Sequence, residues 1–157
     1  MVSSIVIALT HRAKYALKAV LCLARQDAIV TRGREPISVQ VIASSESIPL
    51  KFLETIMREL ANHGYVISRK GRNGGYLLAR PAGDVWVGPM LRIFEGPLAP
   101  IPCVSKRHYA PCEDCQSVDD CAVRRTMLDV KNAILEVLDT TSLDDLLNRE
   151  GQPIQLA

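Results

Sequence analysis

The chain has 157 residues, with 19 Lys and Arg against 17 Asp and Glu and a formal net charge of +2. That length suffices for one packed domain of about 100–200 residues plus an appendage. No apolar run approaches the roughly 18–20 residues of a membrane span, so a soluble, cytoplasmic protein with no membrane partner is expected. The charge is unevenly spread: residues 1–82 hold 12 basic and 5 acidic side chains, residues 83–157 hold 7 and 12. A basic half on a near-neutral whole points to a polyanion-binding module joined to a unit with another task.

In chain order, the segment 9–26 places Ala13, Leu17, Val20, Leu21 and Ala24 at helical spacing, with Lys14, Lys18 and Arg25 on a polar side, which predicts an amphipathic helix. Cys22 near its apolar face reads as a small buried hydrophobe. A shorter helix is predicted over 38–45, with Ser38 as N-cap and Val39, Ile42 and Ala43 inward. After the break at 44–48, Pro49 suits the first turn of a further helix because its missing N–H is not needed there. In that helix Leu53, Ile56, Met57 and Leu60 recur at i, i+3, i+4 and i+7, Lys51, Glu54, Thr55, Arg58 and Asn62 cover the other side, and Gly64 ends it. Two short helices joined by a tight turn, the second polar and partly basic outside, predict a helix-turn-helix.

Strand-like runs at 65–68 and 76–79 bracket Arg69, Lys70, Gly71, Arg72, Asn73, Gly74 and Gly75. Glycines permit positive φ at a turn, and the basic side chains project from its tip, which predicts a β-hairpin wing. No Walker Lys-Ser/Thr pair follows, and the flanks are strand and strand, so a phosphate-binding loop is excluded. The DNA-contacting set expected from helix and wing is Lys51, Glu54, Thr55, Arg58, Arg69, Lys70, Arg72 and Asn73.

Beyond 81–84 a short helix is predicted with Pro89 in its first turn and Gly96-Pro97 closing it, Trp86 being a packing residue at the junction. Pro97, Pro100, Pro102 and Pro111 punctuate the loop that follows, which runs to about 118; a loop of that length is commonly functional. From 119 to 138 Val123, Met127, Val130, Ile134 and Val137 alternate steps of four and three, the 3.5-residue period of a two-helix seam. A homodimer is expected from it, and two helix-turn-helix units would then face the half-sites of a palindromic operator in double-stranded DNA. Thr141 or Ser142 caps a last helix bearing Leu143, Leu146 and Leu147.

Four of the five cysteines, Cys103, Cys112, Cys115 and Cys121, crowd into the loop and the start of the long helix. In a reducing compartment such a cluster marks metal or redox chemistry rather than structural disulfides. Thiolates suit soft and borderline metals, and a helix N-terminus favours the thiolate of Cys121. The spacing leaves three options open: an iron–sulfur cluster, a four-cysteine zinc site and a metal-free thiol switch. His108 is a loop histidine that could replace one ligand. No nucleophile–base constellation is present, so an enzyme is not expected. The expected architecture is mainly α with a small β-hairpin wing: a winged helix-turn-helix domain over 9–82, a short helix and cysteine loop over 83–118, and a dimerisation helix with a short C-terminal helix over 119–150.

The order of Leu9-Thr10 with Tyr15-Ala16-Leu17, Ile48-Pro49-Leu50-Lys51-Phe52-Leu53-Glu54, Gly71-Arg72-Asn73-Gly74-Gly75-Tyr76-Leu77-Leu78, Val87-Gly88 and Glu95-Gly96-Pro97 resembles the Rrf-two family of winged-helix regulators, which includes the IscR, NsrR, RirA and CymR proteins. The resemblance runs from about residue 9 to 147. It implies a dimeric transcription factor in which cysteines between the short helix and the dimer helix hold an iron–sulfur cluster. In cluster-binding members three cysteines are separated by five residues each; the interval Cys115 to Cys121 matches the second gap, whereas the first is lengthened and contains Cys112. The family's fourth ligands correspond here to Arg124 and Lys14, which do not normally ligate iron, so Cys112 is expected to complete an all-cysteine site. The competing function class is a metal or redox accessory protein whose winged helix contacts protein. Arg69, Lys70 and Arg72 argue for DNA, since they suit phosphates better than a neutral protein surface.

Overall fold

The structure, a computed structural model, describes residues 9–29 and 34–154. Among these, helices α1 (His11–Ile29), α2 (Val39–Glu46) and α3 (Leu50–Asn62) are followed by strands β1 (Val66–Arg69) and β2 (Gly75–Leu78), then by α4 (Val87–Glu95), α5 (Ala122–Asp139) and α6 (Leu143–Asn148). This is the mainly helical, winged architecture that the periodicities predict.

Helix α1 is the centre of the fold and packs against α2, α3, α4 and α6. Its buried residues are Ala13, Ala16, Ala19, Val20, Leu23 and Ala24, a wider arc than the single stripe expected. Leu17 and Leu21, predicted inward, are only half-buried, because neighbours on several sides select the small side chains at the closest approaches. Cys22, expected to be buried, is likewise half-buried, its Sγ 3.5 Å from the Ser45 hydroxyl.

Ser38 caps α2, its hydroxyl accepting from the Val41 amide at 3.3 Å. Ser47 ends that helix in the left-handed region at φ 54°, and the chain enters α3 three residues later. Leu53, Ile56, Met57 and Leu60 are all fully buried; burying each contributes roughly 1.5–3 kcal/mol, which fixes the roll of α3 about its axis and hence which side chains it leaves outside. Strands β1 and β2 pair antiparallel, Val66 opposite Leu78 and Arg69 opposite Gly75. A further pairing was not visible in the sequence: Ile37, just before α2, bridges Tyr76 on β2. A Cβ on Gly75 would lie 2.3 Å from the Ile37 carbonyl oxygen, so only glycine admits that approach.

Trp86 is 43% exposed and does not pack as predicted. Its backbone forms a bridge with Ser142, with Val87 N–H donating to Thr141 and Leu143 N–H to Val85; the residue serves the junction through its main chain. Gly88 lets α5 approach α4, since a Cβ there would overlap the Asp139 carboxylate. Helix α5 begins at Ala122, with Cys121 as its N-cap rather than within its first turn. Ser142 and Asp145 form a capping box that starts α6, and hydrogen bonds from the Ser142 hydroxyl and amide hold the Asp145 carboxyl below the usual carboxylate range. Leu143 is fully buried in the main core beside α1 residues. Arg25 then joins three segments, donating to Glu46 at the end of α2 and to Glu150 beyond α6.

Candidate nucleic-acid interface and cysteine loop

The roll of α3 leaves Lys51, Glu54, Thr55 and Arg58 exposed together on its outer side. Arg58 lies along that face, its Nε donating to the Glu54 carbonyl at 3.3 Å and its guanidinium to the Thr55 hydroxyl at 3.4 Å. Among the described residues no ion pair engages Lys51, Glu54 or Arg58, so their charged ends are free for a ligand. Glu59, one turn on, is instead paired inward with Arg12 of α1.

Strand β1 packs on α3, which fixes the wing relative to the helix. Arg69, Lys70, Arg72 and Asn73 are all exposed at the end of β1 and in the hairpin loop. All eight residues expected to contact DNA are therefore at the surface, four on α3 and four on the wing. Arg80 points elsewhere: it stacks over the Tyr65 ring and donates to the Gly64 carbonyl, a joint beneath the hairpin. Burial raises the Tyr65 phenol above its ordinary pKa, against the opposing charge of Arg80.

All four loop cysteines are free thiols. Cys103 is buried within a single 3₁₀ turn, Pro102–Val104; Cys112 is exposed; Cys115 and Cys121 are half-buried. Partial desolvation, followed by the Cys103 thiol and Asp114, raises the Cys112 pKa and favours its protonated form. The Cys115 amide donates to the Cys112 carbonyl at 3.2 Å. Cys121 accepts from the Arg124 amide at 3.4 Å through its sulfur.

Arg124 is the residue that sequence reasoning passed over. Its guanidinium donates to the Cys103 carbonyl and to the Val118 carbonyl, both at 3.2 Å, tying the two ends of the cysteine loop to the first turn of α5. Among the described residues, no three His, Cys, Asp or Glu side chains stand close enough to hold a metal ion. Thiols are chemically suited to a soft or borderline metal, but Cys103, Cys112, Cys115 and Cys121 are not brought together here as a set of ligands. His108 is not grouped with them. Its amide donates to the Ser105 hydroxyl and it lines a separate cavity.

On α5 the five apolar residues of the expected seam are partly or largely exposed. Val123 and Val137 are 65% and 56% exposed, and Met127, Val130 and Ile134 are half-buried. The side turned inward is a different set: Arg124 under the loop, Lys131 buried and bonded to the Val104 carbonyl, and Leu138 packed near Val87 and Leu91.

Residues 9–149 match the model of the Rrf2 family, described as iron-dependent transcriptional regulators. The chain is 37% identical over 139 residues, 88% of its own length and 91% of the relative's, to a protein of Rhodobacter capsulatus named as an rrf2-like HTH-type transcriptional regulator. Among solved structures it is similar to CymR, the global cysteine regulator of B. subtilis, with 28% identity, a TM-score of 0.72 and coverage of 90% of this chain and 96% of that one. It is also similar to T. potens IscR, with 28% identity, a TM-score of 0.68 and coverage of 95% and 93%. The chain belongs to the Rrf2 family of transcriptional regulators.

Proposed function

We propose that the protein is a homodimeric, sequence-specific DNA-binding regulator that senses redox, iron or nitric-oxide status through an iron–sulfur cluster held by Cys103, Cys112, Cys115 and Cys121. The observation that carries this reading is the hydrogen bond from Arg124 of α5 to the Cys103 carbonyl, because it links the cysteine loop mechanically to the helix that carries the apolar seam. Lys51, Glu54, Thr55 and Arg58 would enter the major groove, while Arg69, Lys70, Arg72 and Asn73 contact phosphate or the minor groove. The seam Val123, Met127, Val130, Ile134 and Val137 would set the distance between two such heads, so a change at the loop alters how well both fit one palindrome. Support for iron comes from the thiol donor set and from the family's description as iron-dependent.

Two observations favour a second reading, a metal-free thiol switch: all four loop cysteines are free thiols, and the chain is similar to CymR, described as the global cysteine regulator of B. subtilis. Anaerobic purification with visible absorption and iron, sulfide and zinc analysis decides between them. The cluster reading requires iron and sulfide in the protein, loss of the chromophore in each Cys→Ser variant of the four, and retention in Cys22→Ser. Stoichiometric zinc without sulfide, or no metal with a reversible Cys103–Cys112 disulfide, would overturn it.

A further inference from the structure

We propose that the cavity between the C-terminal end of α4, the beginning of the cysteine loop and the inward side of α5 binds a small organic anion, a carboxylate or phosphate head on a short apolar body. The cavity measures about 420 Å³, within the roughly 300–1,000 Å³ of small-molecule sites. Lys106, Arg107, His108 and Lys131 line it together with Leu98 and Leu135, and no carboxylate does.

Lys131 carries the inference. It is only 6% exposed, its ammonium donates to the Val104 carbonyl at 2.9 Å, and no carboxylate of the described residues stands within ion-pair distance. An ammonium has three donors, and a buried charge without a counter-charge is costly. Arg92, on the same cavity wall, shows the contrast: Asp139 satisfies it with two bonds of 2.6 and 2.8 Å, leaving Lys131 as the unneutralised charge. Lys106 and Arg107 are exposed at the mouth and have no ion-pair partner among the described residues either. Three uncompensated cations around a floor of Leu98 and Leu135 select an anionic head with an apolar tail. None of the four loop cysteines lines this cavity, so the site is separate from the one assigned to the metal. Resting on the reading as a DNA-binding regulator, an anion here would bridge the loop at 105–108 to α5 and act as an effector.

The test is calorimetric titration of the full chain with hexanoate, monohexyl phosphate and the neutral hexanol, with operator binding of the unliganded protein followed separately by anisotropy. Saturable binding of one anionic probe, one per chain, is expected, with no binding of hexanol; which anion binds identifies the head group. Affinity falls about tenfold or more in Lys131→Met and also in the double variant Lys106→Ala, Arg107→Ala, whose exposed side chains leave the core untouched. No saturation by either anion up to about 10 mM, hexanol binding as tightly as hexanoate, or unchanged affinity in the variants would overturn the proposal. DNA binding without probe binding removes only this inference, whereas probe binding without DNA binding removes only the regulatory reading.

Discussion

Ile37 and Tyr76 exchange two backbone hydrogen bonds, Ile37 N–H to the Tyr76 carbonyl at 3.0 Å and Tyr76 N–H to the Ile37 carbonyl at 2.8 Å. Ser38, the next residue, is the N-cap of α2. The wing is thereby stitched to the first residue of the helix-turn-helix, and the two halves of the proposed DNA-binding surface share one backbone joint.

Gly75→Ala would force a Cβ to within 2.3 Å of the Ile37 carbonyl oxygen and 2.8 Å of the Ser38 nitrogen. Because both are backbone atoms, neither can turn aside. The substitution should cost about 1–3 kcal/mol and lower the Tm by roughly 2–4 °C for each kcal/mol. Gly83→Ala, whose Cβ would meet nothing nearer than Asp144 at 3.9 Å, should change stability by less than about 0.5 kcal/mol. Thermal unfolding of the two variants checks the pair; equal midpoints would mean that the joint is not stiff.

Helix and wing should fail differently when each loses one side chain. Glu54→Ala removes an acceptor suited to a cytosine amino group and should relax selection at one position per half-site, costing roughly 1–3 kcal/mol of discrimination. Arg72→Ala should weaken binding to all sequences alike and reduce the slope of log affinity against log salt by about one. Selection profiling and a salt titration measure the two; an unchanged profile, or an unchanged slope, removes that residue from the interface.

The outward side of α5 makes a prediction about assembly. Val130→Asp with Ile134→Lys should convert a dimer to a monomer by light scattering and abolish palindrome binding, because charge would be desolvated at a seam but solvated on a free helix. A double variant that still runs as a dimer would move the interface elsewhere.

Acid should loosen the tie between α1 and the C-terminal segment. The Arg25 hydrogen bonds hold the Glu150 carboxyl below its ordinary value of 4.5. With a lowered folded-state pKa, its contribution is complete above the unfolded value and is lost as pH falls through the folded one. The Tm difference between the wild type and Glu150→Gln should therefore be constant from about pH 6 upward and shrink below about pH 4.5. A difference that persists at lower pH would mean that the pair contributes through packing alone.

Much of this was legible in the sequence because it is local. The outward set of α3 is the complement of Leu53, Ile56, Met57 and Leu60, and a period of 3.6 residues places both at once. Hairpin and caps are likewise written in short windows. The Ile37 to Tyr76 bridge was not, since one residue pairing across 39 positions leaves no periodic signal. The burial of Lys131 leaves no signal for a different reason: lysine in a helix reads as solvated. Arg124, Lys131 and Leu138 recur at intervals of seven, a spacing that marks a face, but two of the three are cationic and no hydrophobicity pattern detects them. The cysteines were visible as a group, whereas their relation to Arg124 depends on how the loop folds back.

Leu143 closes the core against α1, and Arg25 bonds Glu150 across 125 positions of chain. Contacts of such separation pay loop-closure entropy before they return any stabilisation, which slows folding. They also impose an order of events during synthesis: α2, α3 and α4 can cover parts of α1 as they emerge, but the part that packs on α6 stays open to solvent or to other chains until residue 143 has left the ribosome. The basic N-terminal half therefore does not complete its core until nearly all of the polypeptide, cysteine loop and long helix included, has been made.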